Sequence, residues 1–275
     1  MTSAALAAID DWPERYGVPH TSALVRSADA VLETRGEDTR GFRLASISKL
    51  LTAYAVLLAV QEEALGLDDP AGPPGSTVRH LLSHAAGYGF ESGAGTIGPP
   101  GTRRTYSNQG IEVLAEHLAQ VTGIGFGEYL AEAVLDPLGM TGTELRSSPA
   151  FGVWGTTADL ARFAAELMRP RLLAPELLVA ATTIQFPGLS GVMPGVGRFD
   201  PLDWGLGFEL NFGRPRHWAG PSVSTRAFGH FGGSGTFFWV DPQAGLAAVS
   251  LSDLDFGPWA LEAWPRLADA VLSSR

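Results

Sequence analysis

A serine and a lysine stand three residues apart in the most apolar stretch of the chain, "FRLASISKLLTAYAVLL" at residues 42–58. Lys49 is the only lysine, whereas arginine occurs eighteen times. In a helix, Ser46 and Lys49 share a face and can touch, whereas Ser48 and Lys49 do not face each other. A lysine in apolar surroundings loses its proton more easily and can take the serine proton, which arginine cannot do. The pair predicts a lysine-activated serine nucleophile, and the alternative is a lysine whose charged head only reaches toward solvent.

A second group of polar residues, "TYSNQG", comes directly before an amphipathic helical pattern. Its tyrosine, Tyr106, can ionise more readily beside a lysine and can then pass protons to and from a serine. The neighbouring Ser107 and Asn108 are both residues that cap helices. A structural capping role therefore stays open for either of them.

A third group, "GHFGGSG", places His230 before two glycines, Gly232 and Gly233. This triplet is weak evidence alone, because histidine followed by glycine at this spacing is nearly expected by chance in a glycine-rich chain. We predict that it opens a strand, where the glycines would let a substrate carbonyl approach the backbone.

The three groups, in this order, resemble the motifs of the serine β-lactamase and penicillin-binding superfamily: Ser-x-x-Lys, Ser/Tyr-x-Asn and Lys/His-x-Gly. Because the second motif begins with a tyrosine, the chain resembles the class C branch of this superfamily. That branch includes D-alanyl-D-alanine peptidases, D-amino-acid amidases and family VIII esterases. The likeness extends over residues 42–255 and includes flanking phrases such as "LLSHAAG" and "LDPLGMTGT".

The resemblance implies that Ser46 becomes acylated while Lys49 and Tyr106 share the acid and base work. It implies that backbone N–H groups of Ser46 and Gly233 form an oxyanion hole. It assigns substrate contacts to four residues: Asn108, His230, Gly232 and Gly233. Asn108 would also orient Lys49, and His230 would lie opposite Tyr106. No metal and no cofactor are expected.

The third motif departs from the Lys-Thr-Gly of β-lactamases, whose lysine and threonine hold a substrate carboxylate. Here His230 can be neutral near pH 7, and Phe231 offers no hydroxyl. This favours an esterase that acts on small acyl esters through an acyl-enzyme. The alternatives are a β-lactamase, a D-Ala-D-Ala carboxypeptidase or a D-amino-acid amidase, and, in another class, a non-catalytic member that binds peptides or forms a scaffold.

The elements that must position these residues follow an α+β pattern. Strand-like segments stand toward both ends of the chain. Two of them, "TSALVRSA" and "AVLETRG", are followed by "GFRLAS", which ends at Ser46, and three more, "WGLGFELN", "GTFFWVDP" and "GLAAVSLSD", come after residue 200. Helical periodicity dominates between them, and helical patterns also occupy both termini. We therefore predict a β-lactamase/transpeptidase-like fold, with an antiparallel sheet built from both termini, flanking terminal helices and a helical insertion. One domain would span 1–275, with a sheet lobe at 1–60 and 200–275 and a helical lobe at 61–199.

Local patterns give further expectations within this frame. The segment 46–60 is apolar around nearly its whole circumference, which is typical of a helix buried in a core. "VRHLLSHAAG" reads as one helix that places His80 and His84 at i and i+4, but it lacks a glutamate between them and a third ligand, so a structural pair is favoured over a metal site. The segment 186–203 is predicted to be a long loop. Trp154 and Trp204 could line a substrate cleft or pack in the core.

Composition limits the partners. The net charge of −10 argues against a nucleic-acid surface, and no cysteine is present for disulfides or thiolate metal sites. The N-terminal segment has no basic n-region followed by a long apolar stretch, and the apolar run at 50–60 is shorter than the roughly 20 residues of a membrane span. We expect a cytoplasmic protein, presumed monomeric, that binds a small ester, amide or β-lactam and neither nucleic acid nor membrane.

Overall fold

A computed structural model describes residues 5–210, 212–213 and 217–274. The strands are β1 Thr21–Arg26, β2 Val31–Arg35, β3 Phe42–Arg43, β4 Arg104–Thr105, β5 Glu144–Leu145, β6 Val153–Gly155, β7 Gly191–Met193, β8 Gly197–Phe199, β9 Glu209–Leu210, β10 Phe228–Gly232, β11 Thr236–Asp241 and β12 Leu246–Ser252. The α-helices are α1 Trp12–Tyr16, α2 Ser48–Gln61, α3 Val78–Leu82, α4 Asn108–Thr122, α5 Phe126–Leu130, α6 Asp136–Leu138, α7 Thr157–Met168, α8 Pro175–Ala181 and α9 Pro258–Ser273. Two 3₁₀ turns, Ala5–Ile9 and Ala45–Ile47, and a π-helical turn, Ala131–Leu135, complete the helical elements.

The main sheet joins the two ends of the chain in the order β2-β1-β12-β11-β10-β9. Every pairing in it is antiparallel, and the register of β1 on β12 runs from Thr21 opposite Ser252 to Arg26 opposite Ala247. This confirms the predicted α+β class with a sheet built from both termini.

Both faces of the sheet are covered, so its central strands are buried on both sides. Phe237 and Trp239 of β11 pack in an outer core with Trp264 of α9, whereas Phe238 packs in an inner core with Phe163 of α7. The alternation follows from the two-residue period of a strand. Helix α2 crosses the inner core and is buried over residues 48–59, as its apolar circumference predicts.

A small sheet contradicts the predicted loop at 186–203. β7 and β8 form an antiparallel hairpin whose turn is Pro194-Gly195-Val196, and β7 also pairs in parallel with β4, placing Gly191 beside Arg104. The strands are three residues each and lie among glycines and prolines, so their pattern is too short to register as strands in the sequence. The hairpin thereby becomes attached to the segment that leads into Tyr106.

Three other boundaries differ from the sequence predictions. Helix α3 ends at Leu82, because Ser83 terminates it and His84 adopts a left-handed backbone with φ 57. Within residues 204–210 of the "WGLGFELN" segment, the strand is Glu209–Leu210, and the last residue of the segment, Asn211, lies outside the described residues. His230 lies inside a strand of its own, β10, rather than at the start of β11. The expected division into lobes at 60/61 and 199/200 stays a prediction.

Helix length bears on the membrane expectation. Within the ranges that the structure describes, no helix combines the length and the apolar character needed to cross a membrane.

Candidate active site

Ser46 lies in the 3₁₀ turn Ala45–Ile47 that leads into α2, so the helix begins two residues later than the sequence predicts. The preceding residue, Ala45, has φ 46, in the left-handed region that costs an alanine conformational energy. Ser46 is partly exposed while its neighbours on both sides are buried. The strained turn thus presents one hydroxyl to solvent at the N-terminal end of a buried helix.

Lys49 is in the first turn of α2 and is 1% exposed. Its Nζ lies 3.1 Å from the Oγ of Ser46, 2.7 Å from the Oδ1 of Asn108 and 2.8 Å from the carbonyl oxygen of Ala150. A neutral amine has two N–H donors and one lone pair. Asn108 and Ala150 can accept the two donors, which leaves the lone pair for the Ser46 hydroxyl.

Burial lowers the pKa of Lys49 to about 7, and the charge of Glu112 only partly opposes this effect. The lysine is therefore close to half neutral at physiological pH, which is the protonation state that a base requires.

Asn108 and Ser107 divide the two roles that the sequence left open. Ser107 is the N-cap of α4, and its side chain accepts a hydrogen bond of 2.9 Å from the backbone N–H of Gly110. Asn108 is the first residue of the helix, so its side chain is free to contact Lys49. Because the lysine donates, the oxygen of the Asn108 amide must face it, and the nitrogen faces away.

Tyr106 directly follows β4 and is almost fully buried. Its hydroxyl lies 2.7 Å from the Nε2 of His230, and the Nζ of Lys49 lies 4.8 Å from the centre of its ring. Burial raises the pKa of Tyr106, while a hydrogen bond with Ser46 acts in the opposite direction. The structure thus gathers Ser46, Lys49, Tyr106, Asn108 and His230 into one hydrogen-bonded cluster.

Glu209 extends this cluster and was missed by the sequence reasoning. Its Oε2 lies 3.1 Å from the Nδ1 of His230 and accepts a hydrogen bond of 3.0 Å from the Nε1 of Trp218. Its Oε1 lies 3.0 Å from the Nε2 of His217, whose Nδ1 accepts the backbone N–H of Ala219 at 3.1 Å. A carboxylate in the apolar phrase "WGLGFELN" was the available signal, since a buried acid needs a partner.

The charge of Glu209 determines the state of His230. Burial acts to raise the pKa of Glu209, but its interactions with His217 and His230 outweigh burial and hold the pKa below the usual value. Burial also lowers the pKa of His230, despite the opposing effect of Glu209. His230 is therefore neutral near pH 7, with its proton on Nδ1 facing the carboxylate and its Nε2 free to accept from Tyr106.

His84 and Trp204 are two of the aromatic residues that pack against the Tyr106 ring. His84 lies 4.7 Å from it and Trp204 5.8 Å from it, measured between ring centres. His80, in contrast, stacks on Phe186, with 4.3 Å between the ring centres. The prediction that the two histidines share one face of a helix is therefore wrong. Among the described residues, no group of three or more His, Cys, Asp or Glu side chains could hold a metal ion.

Trp154, the other tryptophan considered for the cleft, lies under Arg146, whose guanidinium carbon is 4.5 Å from the ring centre. It lines a separate cavity with Phe42, Arg43 and Ser234. Trp204 is therefore the tryptophan that lies against Tyr106.

The glycines after His230 have different surroundings. A Cβ on Gly232 would lie 2.3 Å from the carbonyl oxygen of Leu44 and 2.4 Å from the Oγ1 of Thr236, whereas a Cβ on Gly233 would have no heavy atom within 4 Å. The backbone before Ser46 therefore leaves no room for a side chain at Gly232, whereas the approach of a substrate carbonyl to the two glycines stays a prediction. Phe231 packs in the outer core, 4.6 Å from the ring centre of Phe256.

Comparison with known proteins identifies the family to which the chain belongs. The sequence profile of the beta-lactamase family matches residues 13–272. The crystal structure of a beta-lactamase from Mycobacterium bovis is 51% identical, with a TM-score of 0.94 over 98% of each chain.

More distant proteins share the fold or part of the sequence. EstCE1, described as a hydrolase with promiscuous acyltransferase activity, is 18% identical, with a TM-score of 0.80 over 98% of this chain and 97% of its own. Penicillin-binding protein 4* of Bacillus subtilis is 26% identical over 38% of this chain and 30% of its own length, so the match spans less than a third of that relative. The family profile and the fold together confirm the resemblance, and the chain belongs to the beta-lactamase family of serine hydrolases.

Proposed function

We propose that this protein is an esterase that hydrolyses small acyl esters through an acyl-enzyme on Ser46. Membership in the beta-lactamase family supports a serine hydrolase. The roles of the individual residues and the preference for esters are proposed from the chemistry of the cluster.

In the first half of the reaction, neutral Lys49 takes the proton of Ser46, and the serine oxygen attacks the acyl carbon. The carbonyl oxygen takes up the negative charge and is held by the backbone N–H groups of Ser46 and Gly233. The bond to the leaving alkoxide then breaks. Lys49 gives its proton to the oxygen of Tyr106, and the hydroxyl hydrogen of Tyr106 turns from His230 to the departing oxygen, which leaves as a neutral alcohol.

The second half follows the same path in reverse, with water in place of the alcohol. Water gives a proton through Tyr106 to Lys49 and attacks the acyl carbon, and Lys49 returns the proton to the Ser46 oxygen as the acid departs. Asn108 holds Lys49 through its carbonyl oxygen and presents its amide nitrogen to the substrate. His230 and Glu209 keep the Tyr106 hydroxyl oriented.

The observation that carries the ester preference is the state of His230. The side chain is 1% exposed, and both ring nitrogens already have partners, Tyr106 and Glu209. A neutral imidazole in that position offers neither a fixed positive charge nor a spare donor for a substrate carboxylate. The third motif therefore supports substrates that need no carboxylate anchor there.

A comparison of p-nitrophenyl butyrate with nitrocefin tests this preference directly. We expect a higher kcat/KM for the ester, an acyl group on the Ser46 peptide by mass spectrometry after rapid quenching, and loss of both in Ser46→Ala. Acylation of Ser48, Ser83 or Ser234 instead would assign the nucleophile to another residue.

β-Lactam hydrolysis is the second candidate, because the protein that is 51% identical is named a beta-lactamase. Faster turnover of nitrocefin than of the ester would favour it. The non-catalytic alternative predicts that a serine-directed phosphonate probe leaves Ser46 unlabelled, whereas either hydrolase activity predicts labelling.

A further inference from the structure

A cavity of about 350 Å³ shares one lining residue, Tyr106, with the candidate active site. Ten residues line it, and those that bear on its charge and place are Arg103, Arg104, Tyr106, Val192 and Arg198. Three of these are arginines and none is acidic. The protein as a whole carries a net charge of −10, so this concentration of positive charge is local and opposite in sign to the rest.

The two exposed arginines of the cavity form no ion pair with any acidic residue that the structure describes. Most surface arginines of this protein form ion pairs, such as Arg146 with Glu144 and Arg169 with Asp29. Arg103 and Arg198 form none with the acidic side chains in the described part of the chain. Their charge is therefore not cancelled by a neighbouring carboxylate and is available to a ligand.

Backbone pairing places both arginines beside Tyr106. Arg103 directly precedes β4, and its Nε donates to the Oγ1 of Thr105 at 3.0 Å, which restrains the guanidinium at the cavity. Arg198 lies in β8 opposite Val192 of β7, and β7 is paired with β4. The same small sheet thus carries the two cations and leads into the tyrosine.

Arg104 adds a third positive charge beneath the cavity. It is 2% exposed and donates to backbone carbonyl groups, including that of Leu202 at 2.6 Å and that of Gln185 at 2.6 Å. Burial lowers its pKa to about 10, so it remains charged at neutral pH. Because its N–H donors are already hydrogen-bonded to backbone carbonyl groups, Arg104 acts on a ligand through the electrostatic attraction of its charge.

We infer that this cavity is an anion-binding subsite, and that the protein prefers esters which carry a carboxylate at some distance from the scissile carbonyl. The inference rests on the proposed esterase function and narrows its substrate class. A guanidinium is suited to carboxylates because its planar donors can bind both oxygens. A cationic cleft on an anionic protein also concentrates anionic substrates near the site.

Matched pairs of esters that differ in one carboxylate provide the test. The first pair, mono-p-nitrophenyl glutarate and p-nitrophenyl butyrate, places the carboxylate in the acyl group. The second pair, 4-acetoxybenzoate and phenyl acetate, places it in the leaving group. For each pair the measured quantity is the ratio of kcat/KM for the anionic ester to that for the neutral ester.

We expect Arg103→Gln and Arg198→Gln each to lower this ratio about threefold to tenfold for at least one pair, because solvent weakens an exposed charged contact. The loss should come mainly from KM. The matched control is Arg226→Gln, since Arg226 is an exposed arginine at a different cavity, and its ratio should equal that of the wild type. Added salt should lower the wild-type ratio, because it screens the attraction between the arginines and the anionic ester.

Unchanged ratios in both arginine variants, for both pairs, would overturn the subsite. A wild-type ratio that is the same at low and at high salt would also overturn the subsite. If instead none of the four esters is hydrolysed by the wild type, the proposed esterase function fails, and that result is distinct from a failure of the subsite.

Discussion

The Nδ1 of His230 lies 3.1 Å from the Oε2 of Glu209, and both residues are buried. This contact fixes which ring nitrogen carries the proton. A carboxylate accepts a hydrogen bond and cannot donate one, so the Nδ1 must be protonated and the Nε2 must accept from Tyr106. In other hydrolases a carboxylate orients a histidine that contacts the catalytic serine. Here Glu209 orients His230 in the same way, and the hydroxyl that His230 contacts belongs to Tyr106.

We predict that Glu209→Gln lowers kcat by about 10- to 100-fold with little change in KM, the range seen when an orienting partner of a functional histidine is removed. A glutamine has one oxygen in place of two, so it cannot serve His217, Trp218 and His230 together. The control is Glu166→Gln, which removes another buried carboxylate, bonded to Tyr54 at 2.8 Å. It should lower the unfolding temperature without lowering kcat.

A Glu209→Gln variant with wild-type kcat would contradict the positioning role. NMR of the imidazole nitrogens provides a second readout, since the variant should mix the two tautomers of His230 whereas the wild type should show one.

Lys49→Arg should be nearly as inactive as Lys49→Ala, with kcat reduced about 10²–10⁴-fold, because arginine keeps the charge and loses the basicity. Stopped-flow measurement of the acylation burst would check this at the step where the base acts. Retention of most of the kcat by the arginine variant would show that Lys49 acts only through its charge.

The pH profile should follow Lys49. Its pKa of about 7 means that the amine is protonated, and unable to accept the Ser46 proton, at lower pH. We therefore expect kcat/KM for a neutral ester to rise with pH through about 7 and then to level off. A profile that is flat from about pH 5 to about pH 9 would exclude Lys49 as the titrating base.

Gly232→Ala should damage the site through the backbone. The new Cβ would lie 2.3 Å from the carbonyl oxygen of Leu44, so β10 and the turn that carries Ser46 must separate. We expect a loss of about 1–3 kcal/mol in the free energy of unfolding, as for other overpacked positions, and a lower kcat. Gly233→Ala is the stability control, because open space surrounds that position, and an equal loss in both variants would argue against the clash.

Much of the site follows from local spacing. Ser46 and Lys49 touch because three residues make nearly one turn of helix, and α2 is buried because nearly its whole circumference is apolar. The order of the three motifs also anticipates the contact of Asn108 with Lys49, although 59 residues separate them.

The remaining site residues depend on tertiary packing. Glu209 reaches His230 only because β9 and β10 pair, and nothing in "WGLGFELN" specifies that pairing. His84 turns toward Tyr106 because the chain leaves α3 at Ser83 with a left-handed residue, which local helical propensity does not predict. The β7–β8 hairpin was missed because its strands are too short to show a period.

The parallel pairing of β7 with β4 has a consequence for how this protein can change over evolution. Main-chain groups hold the hairpin, for example through the N–H of Arg104 and the carbonyl of Ser190 at 3.0 Å. Backbone bonds of this kind do not depend on side-chain identity. Substitutions at Val192, Pro194 or Arg198 can therefore change the substrate preference while Tyr106 keeps its position. Substrate preference and catalytic chemistry can thus evolve independently of each other.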